Sequence, residues 1–140
     1  MSWVRSPWRA LAVALVVLAV GATLAACGGS DQYAIPEIKT EAGKRGKAVA
    51  LDQGCISCHT ASGRQSTGPT WKNLAGSKVK LDSGETVIAD DAYLTQSIRD
   101  PRSQVVAGYA NIMPTTYADL STREVADLVA YLRELSTSTR

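Results

Sequence analysis

Phenylalanine is absent from this 140-residue chain, and tryptophan and tyrosine supply its whole aromatic content of 6%. There is one histidine, and there are two methionines and three cysteines. Charge of either sign is in short surplus: 15 Lys and Arg stand against 13 Asp and Glu, a formal net charge of +2. Each shortage has a consequence. A near-neutral chain lacks the basic excess of a nucleic-acid-binding domain, so no nucleic-acid partner is expected. The length accommodates one small domain with appendages rather than two domains. With 45% hydrophobic residues the chain is not disordered throughout. A small domain with few large side chains must still fill its core, and a bound cofactor is one way to do it.

What is present begins with an address. Arg5 and Arg9 precede an unbroken apolar run over residues 10–20, and no acidic residue occurs before Asp31. A basic segment followed by 11 apolar residues reads as a secretory signal. The run falls short of the ~20 apolar residues a membrane span needs. Leu24-Ala25-Ala26-Cys27 follows, then Gly28-Gly29-Ser30. These residues resemble the lipobox of bacterial lipoproteins, in which cleavage precedes a cysteine that then carries lipid. An ordinary signal cut nearby would instead leave Cys27 as a free thiol. The organisation expected is a signal peptide over 1–26, a lipid-attached flexible tether over 27–40, and a folded domain over 41–140. The protein is then exported and anchored to a bacterial membrane, with the domain facing the periplasm or the outer surface. Fully extended, a tether of about 12 residues reaches at most ~40 Å. Removal of the signal takes Arg5 and Arg9 with it, and so the whole net charge.

The domain reads as helical, with long loops. Residues 41–53 predict a helix capped by Thr40 and closed by Gly54. Its Gly43 and Gly46 weaken it, although glycine in a helix can instead mark close approach by another helix. Lys44, Arg45 and Lys47 form a basic cluster, read as a solvated face. The segments 79–81 and 86–88 flank Asp82-Ser83-Gly84-Glu85 and suggest a small β-hairpin. Asp90 caps a short helix over 91–99 that ends at Asp100-Pro101. Ser121-Thr122-Arg123-Glu124 is a capping box. Val125, Leu128, Val129, Leu132 and Leu135 then follow with helical spacing.

Cys55-Ile56-Ser57-Cys58-His59 is a C-x-x-C-H sequence, the attachment signature of c-type haem. Each thiol adds to one haem vinyl group, and the adjacent imidazole supplies one axial ligand to the iron. The competing readings fare worse. A zinc ribbon needs four ligands, and Cys27 is the only other Cys or His in the chain. A thioredoxin-type pair needs a strand before it, whereas a helix is predicted there. A disulfide between Cys55 and Cys58 would close a small strained loop.

The sixth iron position follows by elimination. His59 is the only histidine, and Met1 leaves with the signal, so Met113 is the only thioether of the mature chain. It lies in Ile112-Met113-Pro114, a Pro-stiffened loop 54 residues beyond His59. Methionine is more often core filler than a ligand. Here it is the lone soft donor, which makes it the candidate axial ligand. A lysine, Tyr109 or an open position are the alternatives.

Residues 46–135 resemble class I cytochrome c, and more narrowly the cytochrome domain at the C-terminus of some bacterial cytochrome c oxidase subunit II chains. The resemblance is carried by Gly54-Cys55-Ile56-Ser57-Cys58-His59-Thr60, Gly68-Pro69-Thr70-Trp71-Lys72-Asn73-Leu74, Asp90-Asp91-Ala92-Tyr93-Leu94, Gly108-Tyr109-Ala110-Asn111-Ile112-Met113-Pro114 and Ala130-Tyr131-Leu132. It implies an all-α class I cytochrome c fold with crossing N- and C-terminal helices and long haem-wrapping loops. It would place Gly46 against Tyr131. It would give the Pro69 carbonyl the imidazole N–H of His59. Trp71 and Tyr109 would line the haem pocket, packing on the haem or bonding a propionate. Leu51 falls where many members carry an aromatic residue. Nothing in the chain supplies the ligands of a dinuclear copper site, so it is expected to be a free-standing cytochrome rather than the oxidase subunit.

The function expected is one-electron transfer by a single, covalently attached haem c, rather than catalysis. The partners expected are a quinol-oxidising complex, a terminal oxidase or a periplasmic dehydrogenase. A haem enzyme or a gas or peroxide sensor with a labile sixth site is the alternative, as is a haem subunit fixed in a respiratory complex.

Overall fold

The computed structural model describes residues 35–137. The signal peptide, Cys27 and most of the tether lie outside the described residues. Among the described residues the chain forms three α-helices, two short 3-10 turns and a two-stranded hairpin.

Helix α1 runs Glu41–Asp52. The Thr40 hydroxyl accepts from the Gly43 amide at 3.0 Å, a cap that contributes about 1 kcal/mol. The inward face of α1 is small: Gly43, Gly46 and Ala50 are its buried residues. Small residues let a second helix come close, and that helix is α3, Thr122–Thr137. A Cβ on Gly46 would lie 2.9 Å from Leu128 N and would collide with the Asp127 carbonyl. The nearest backbone of α3 is therefore that of Asp127 and Leu128. Tyr131, one turn on, is buried and edge-on to Trp71 with ring centroids 6.0 Å apart. Leu51 is half exposed, because the core-facing positions of α1 fall on the glycines and Ala50.

Helix α3 begins with the capping box: Ser121 N donates to the Glu124 carboxylate at 2.7 Å, and Glu124 N donates to the Ser121 hydroxyl at 3.2 Å. Val125, Leu128, Val129, Leu132 and Leu135 are all buried. The basic cluster on α1 is not simply a solvated face. Arg45 reaches across to Asp127 with two parallel bonds of 2.8 and 2.7 Å, and Lys44 pairs with Glu41. At the other end of the contact the Glu134 carboxylate accepts from the Lys39 and Thr40 amides and the Thr40 hydroxyl.

Strands β1, Lys78–Lys80, and β2, Thr86–Ile88, pair antiparallel with Val79 opposite Val87. Leu81, just past β1, donates to the Glu85 carbonyl at 2.8 Å across the hairpin and also bridges Val106. Helix α2, Asp91–Arg99, is capped by the Asp90 carboxylate, which accepts from Tyr93 N at 2.9 Å. It stops at Asp100, where the following proline disfavours further helix. Arg99, the last residue of α2, donates to the carbonyls of Ala118 and Leu120 at 2.7 and 2.6 Å.

Candidate haem site

Beyond α1, Gly54 takes a left-handed conformation with φ of +69°, which a side chain would oppose. The chain reverses there into a 3-10 turn, Cys55–Ser57, and the Cys55 carbonyl accepts from His59 N at 3.0 Å. So tight a turn sets Cys55, Cys58 and His59 on the wall of one cleft. Both cysteines are free thiols, and among the described residues no three His, Cys, Asp or Glu side chains converge on a metal site. Burial pushes the Cys55 thiol up from its ordinary pKa.

His59 is held from two sides. Its Nδ1 lies 2.8 Å from the Pro69 carbonyl oxygen, which fixes Nδ1 as the protonated nitrogen and leaves Nε2 with the lone pair. Its ring stacks on Trp71, centroids 5.0 Å apart and planes 12° from parallel. Gly68 closes against it, since a Cβ there would lie 2.7 Å from the imidazole Cε1. Burial lowers the His59 pKa and the Pro69 carbonyl acts the other way. The ring stays neutral at physiological pH, with a lone pair to give.

Met113 comes from a long loop after α2, is half-buried, and lines the same cleft. Three ties position that loop. Ala107 N donates to the Lys80 carbonyl at 2.9 Å beside the Leu81–Val106 bridge. Arg99 grips the carbonyls beyond it. The Tyr117 hydroxyl, in a 3-10 turn over Thr115–Asp119, donates to the Gln53 carbonyl at 3.2 Å. Tyr109 and Trp71 also line the cleft. Trp71 stacks on the His59 ring and meets the Tyr131 ring edge-on. Sequence reasoning passed over Gly68, Arg99 and Tyr117. Gly68 had a signal, the Gly-Pro pair it opens; the other two sit in segments without periodicity.

The cleft suits a flat, largely apolar group that presents two vinyls to the thiols. Its wall includes Leu94, Ile98, Val106, Leu128 and Leu132, and no Asp, Glu, Lys or Arg. The Gln104 amide oxygen is buried in that wall without a hydrogen-bond partner in the protein. Residues 43–136 match the cytochrome c family. The chain belongs to the cytochrome c family. This cytochrome carries covalently attached haem c and is an electron-transfer protein. It is 34% identical over 92 residues to cytochrome c oxidase subunit 2 of Alkalihalophilus pseudofirmus, covering 65% of this chain and 25% of that one. The cytochrome thus spans about a quarter of that relative's length. Among solved structures, cytochrome cH from Methylobacterium extorquens shares 28% identity at a TM-score of 0.49, covering 65% of this chain and 96% of that one.

Proposed function

We propose that this cytochrome is exported, tethered to a bacterial membrane through lipid on Cys27, and passes single electrons between respiratory redox partners. Cys55 and Cys58 would hold the haem covalently, and His59 and Met113 would ligate its iron. One observation supports the reading above others: two free thiols, an imidazole oriented through Nδ1 and the lone thioether of the mature chain all line one cleft. When bound, haem supplies a one-electron ferric–ferrous couple. The chain does the rest. The Pro69 carbonyl holds the imidazole in one tautomer and makes Nε2 a stronger donor. The Gly68 and Trp71 faces stop the ring from turning. The loop tied by Lys80, Arg99 and Tyr117 presents Met113 without large rearrangement, which keeps the cost of each electron transfer low. Aliphatic walls exclude water. Similarity to an oxidase subunit makes a terminal oxidase the partner to look for first.

A haem stain on a denaturing gel tests the attachment. Wild type should stain, the single variants Cys55→Ser and Cys58→Ser should lose much of it, and the double variant should lose all. Retention of stain by the double variant rejects the assignment. Cys27→Ser should move the domain to the soluble fraction; a mature-sized band that stays with membranes rejects the lipid anchor. Co-purification of the native lipoprotein with an oxidase identifies the partner.

A further inference from the structure

Arg99 engages backbone rather than a carboxylate. It is half-buried at the end of α2, stands outside the cleft wall, and makes no ion pair among the described residues. One nitrogen, Nη1, carries two hydrogens, and it donates to the carbonyls of Ala118 and Leu120, 19 and 21 residues further on. The chain that leaves α2 at Asp100 thus returns to the residue it left, and Met113 lies within the loop so closed. We infer that Arg99 is a positioning residue for Met113, a clasp that sets how seldom the thioether leaves the axial position. It thereby keeps the cleft a carrier's site rather than a site for outside ligands. This deepens the reading of Met113 as a ligand and rests on it.

Both ends of the clasp are firm. Helix α2 is pinned by the buried Tyr93 and Leu94 and by the Asp90 cap. The carbonyls that Arg99 takes stand at the end of the 3-10 turn Thr115–Asp119, where the last carbonyls of a helical turn lack partners of their own. That turn starts two residues after Met113, and Pro114 between them has a ring-locked φ, so the position of the turn is passed back to the thioether. The Tyr117 hydroxyl on the Gln53 carbonyl is a neutral bond of 3.2 Å, whereas the Arg99 bonds are 2.7 and 2.6 Å and come from a cation. Charge-assisted hydrogen bonds are about twice as strong as neutral ones, so Arg99 is the stronger restraint on this limb. Ala107, on the other limb, is held to β1 whether or not Arg99 is present. Without the guanidinium the stretch between Ala107 and α3 opens locally more often and takes Met113 with it.

Carbon monoxide binding by the ferrous holoprotein tests the clasp, because its apparent affinity scales with the fraction of molecules whose axial position is open. Arg99→Met keeps an unbranched stem and removes the donors. Its apparent affinity should rise at least about tenfold over wild type, the equivalent of one hydrogen bond to a charged group. Its midpoint potential should stay nearer to wild type than to Met113→Ala, since the thioether still occupies the position most of the time. Arg99→Lys keeps a charged donor and should rise by less, though still above the control; it decides the matter if Arg99→Met yields no holoprotein. The control is Gly46→Ala, a packing defect between α1 and α3 that should resist carbon monoxide as wild type does. Arginine variants no more open than Gly46→Ala overturn the inference, and so does an equal rise in Arg99→Lys and Arg99→Met. Met113→Ala is measured alongside: if it leaves the iron closed, the ligand reading itself is rejected, and the clasp with it.

Discussion

The carbonyl oxygen of Pro69 lies 2.8 Å from Nδ1 of His59, so the orientation of the single histidine is set by a backbone group ten residues away. A carbonyl cannot be titrated or removed by substitution. Its neighbour Gly68 is the point at which this arrangement can be disturbed.

Gly68→Ala should push the imidazole off its line. A Cβ there would meet Cε1, Nδ1 and Nε2 at 2.7, 2.9 and 3.0 Å, all tighter than ordinary contact. Haem should remain attached through both thiols, while the ferric spectrum should gain a high-spin component and the midpoint potential should shift. A spectrum and potential unchanged from wild type would show that the ring has room the structure does not give it.

Met113→Ala should leave haem attached and open one axial position. Wild type should resist carbon monoxide and the variant should bind it readily. Loss of a thioether that favours ferrous iron should lower the midpoint potential by a fraction of the ~0.8 V over which axial ligands act. Rapid carbon monoxide binding by wild type, with no change of potential in the variant, would remove Met113 from the ligand set and favour a sensor.

Gly46→Ala should destabilise the fold without touching the site. Its Cβ would run into the Asp127 carbonyl, which is helix backbone and cannot swing aside. Overpacking of this kind costs about 1–3 kcal/mol, visible as a lower melting temperature with an unaltered haem spectrum. Equal melting temperatures would mean that α1 and α3 separate more easily than their packing indicates.

The Arg45–Asp127 pair should contribute to acid sensitivity. The Arg45 guanidinium holds the Asp127 carboxyl below its usual range. A depressed folded pKa gives stability that is complete above the unfolded value of about 3.9 and is lost as pH falls through the folded one. Asp127→Asn should therefore melt lower than wild type at pH 7, and the gap should narrow steadily below about pH 4. A gap independent of pH would assign the effect to packing.

Local signals in the sequence were enough for much of the fold. Ser121 and Glu124 bond each other within four residues, Asp90 caps the helix it precedes, and Gly54 turns the chain where a helix must stop. The two thiols and the imidazole are adjacent in sequence, so their convergence was legible too. Met113 was found by counting thioethers, and the structure adds that it lines the same cleft. What escaped depends on register between distant elements. That the Asp127 carbonyl meets Gly46 is a matter of how far α1 and α3 slide along each other. Leu51 is turned outward by the phase of α1, which its glycines obscure in a hydrophobicity pattern. Leu81 keeps its bond to the Glu85 carbonyl in the hairpin and also bridges Val106, 25 residues on. Arg99 and Tyr117 bond backbone carbonyls, and any carbonyl looks the same from sequence.

The grip of Glu134 on Lys39 and Thr40 has a mechanical side. The chain enters the domain at the N-terminal end of α1, and twelve helical residues, about 18 Å, separate that point from the turn that bears the cysteines. A pull arriving along the preceding segment is passed to α3 through the Glu134 carboxylate before it can travel down α1. A load applied at residues 39–40 is thus shared between two helices before it reaches the turn that bears the cysteines.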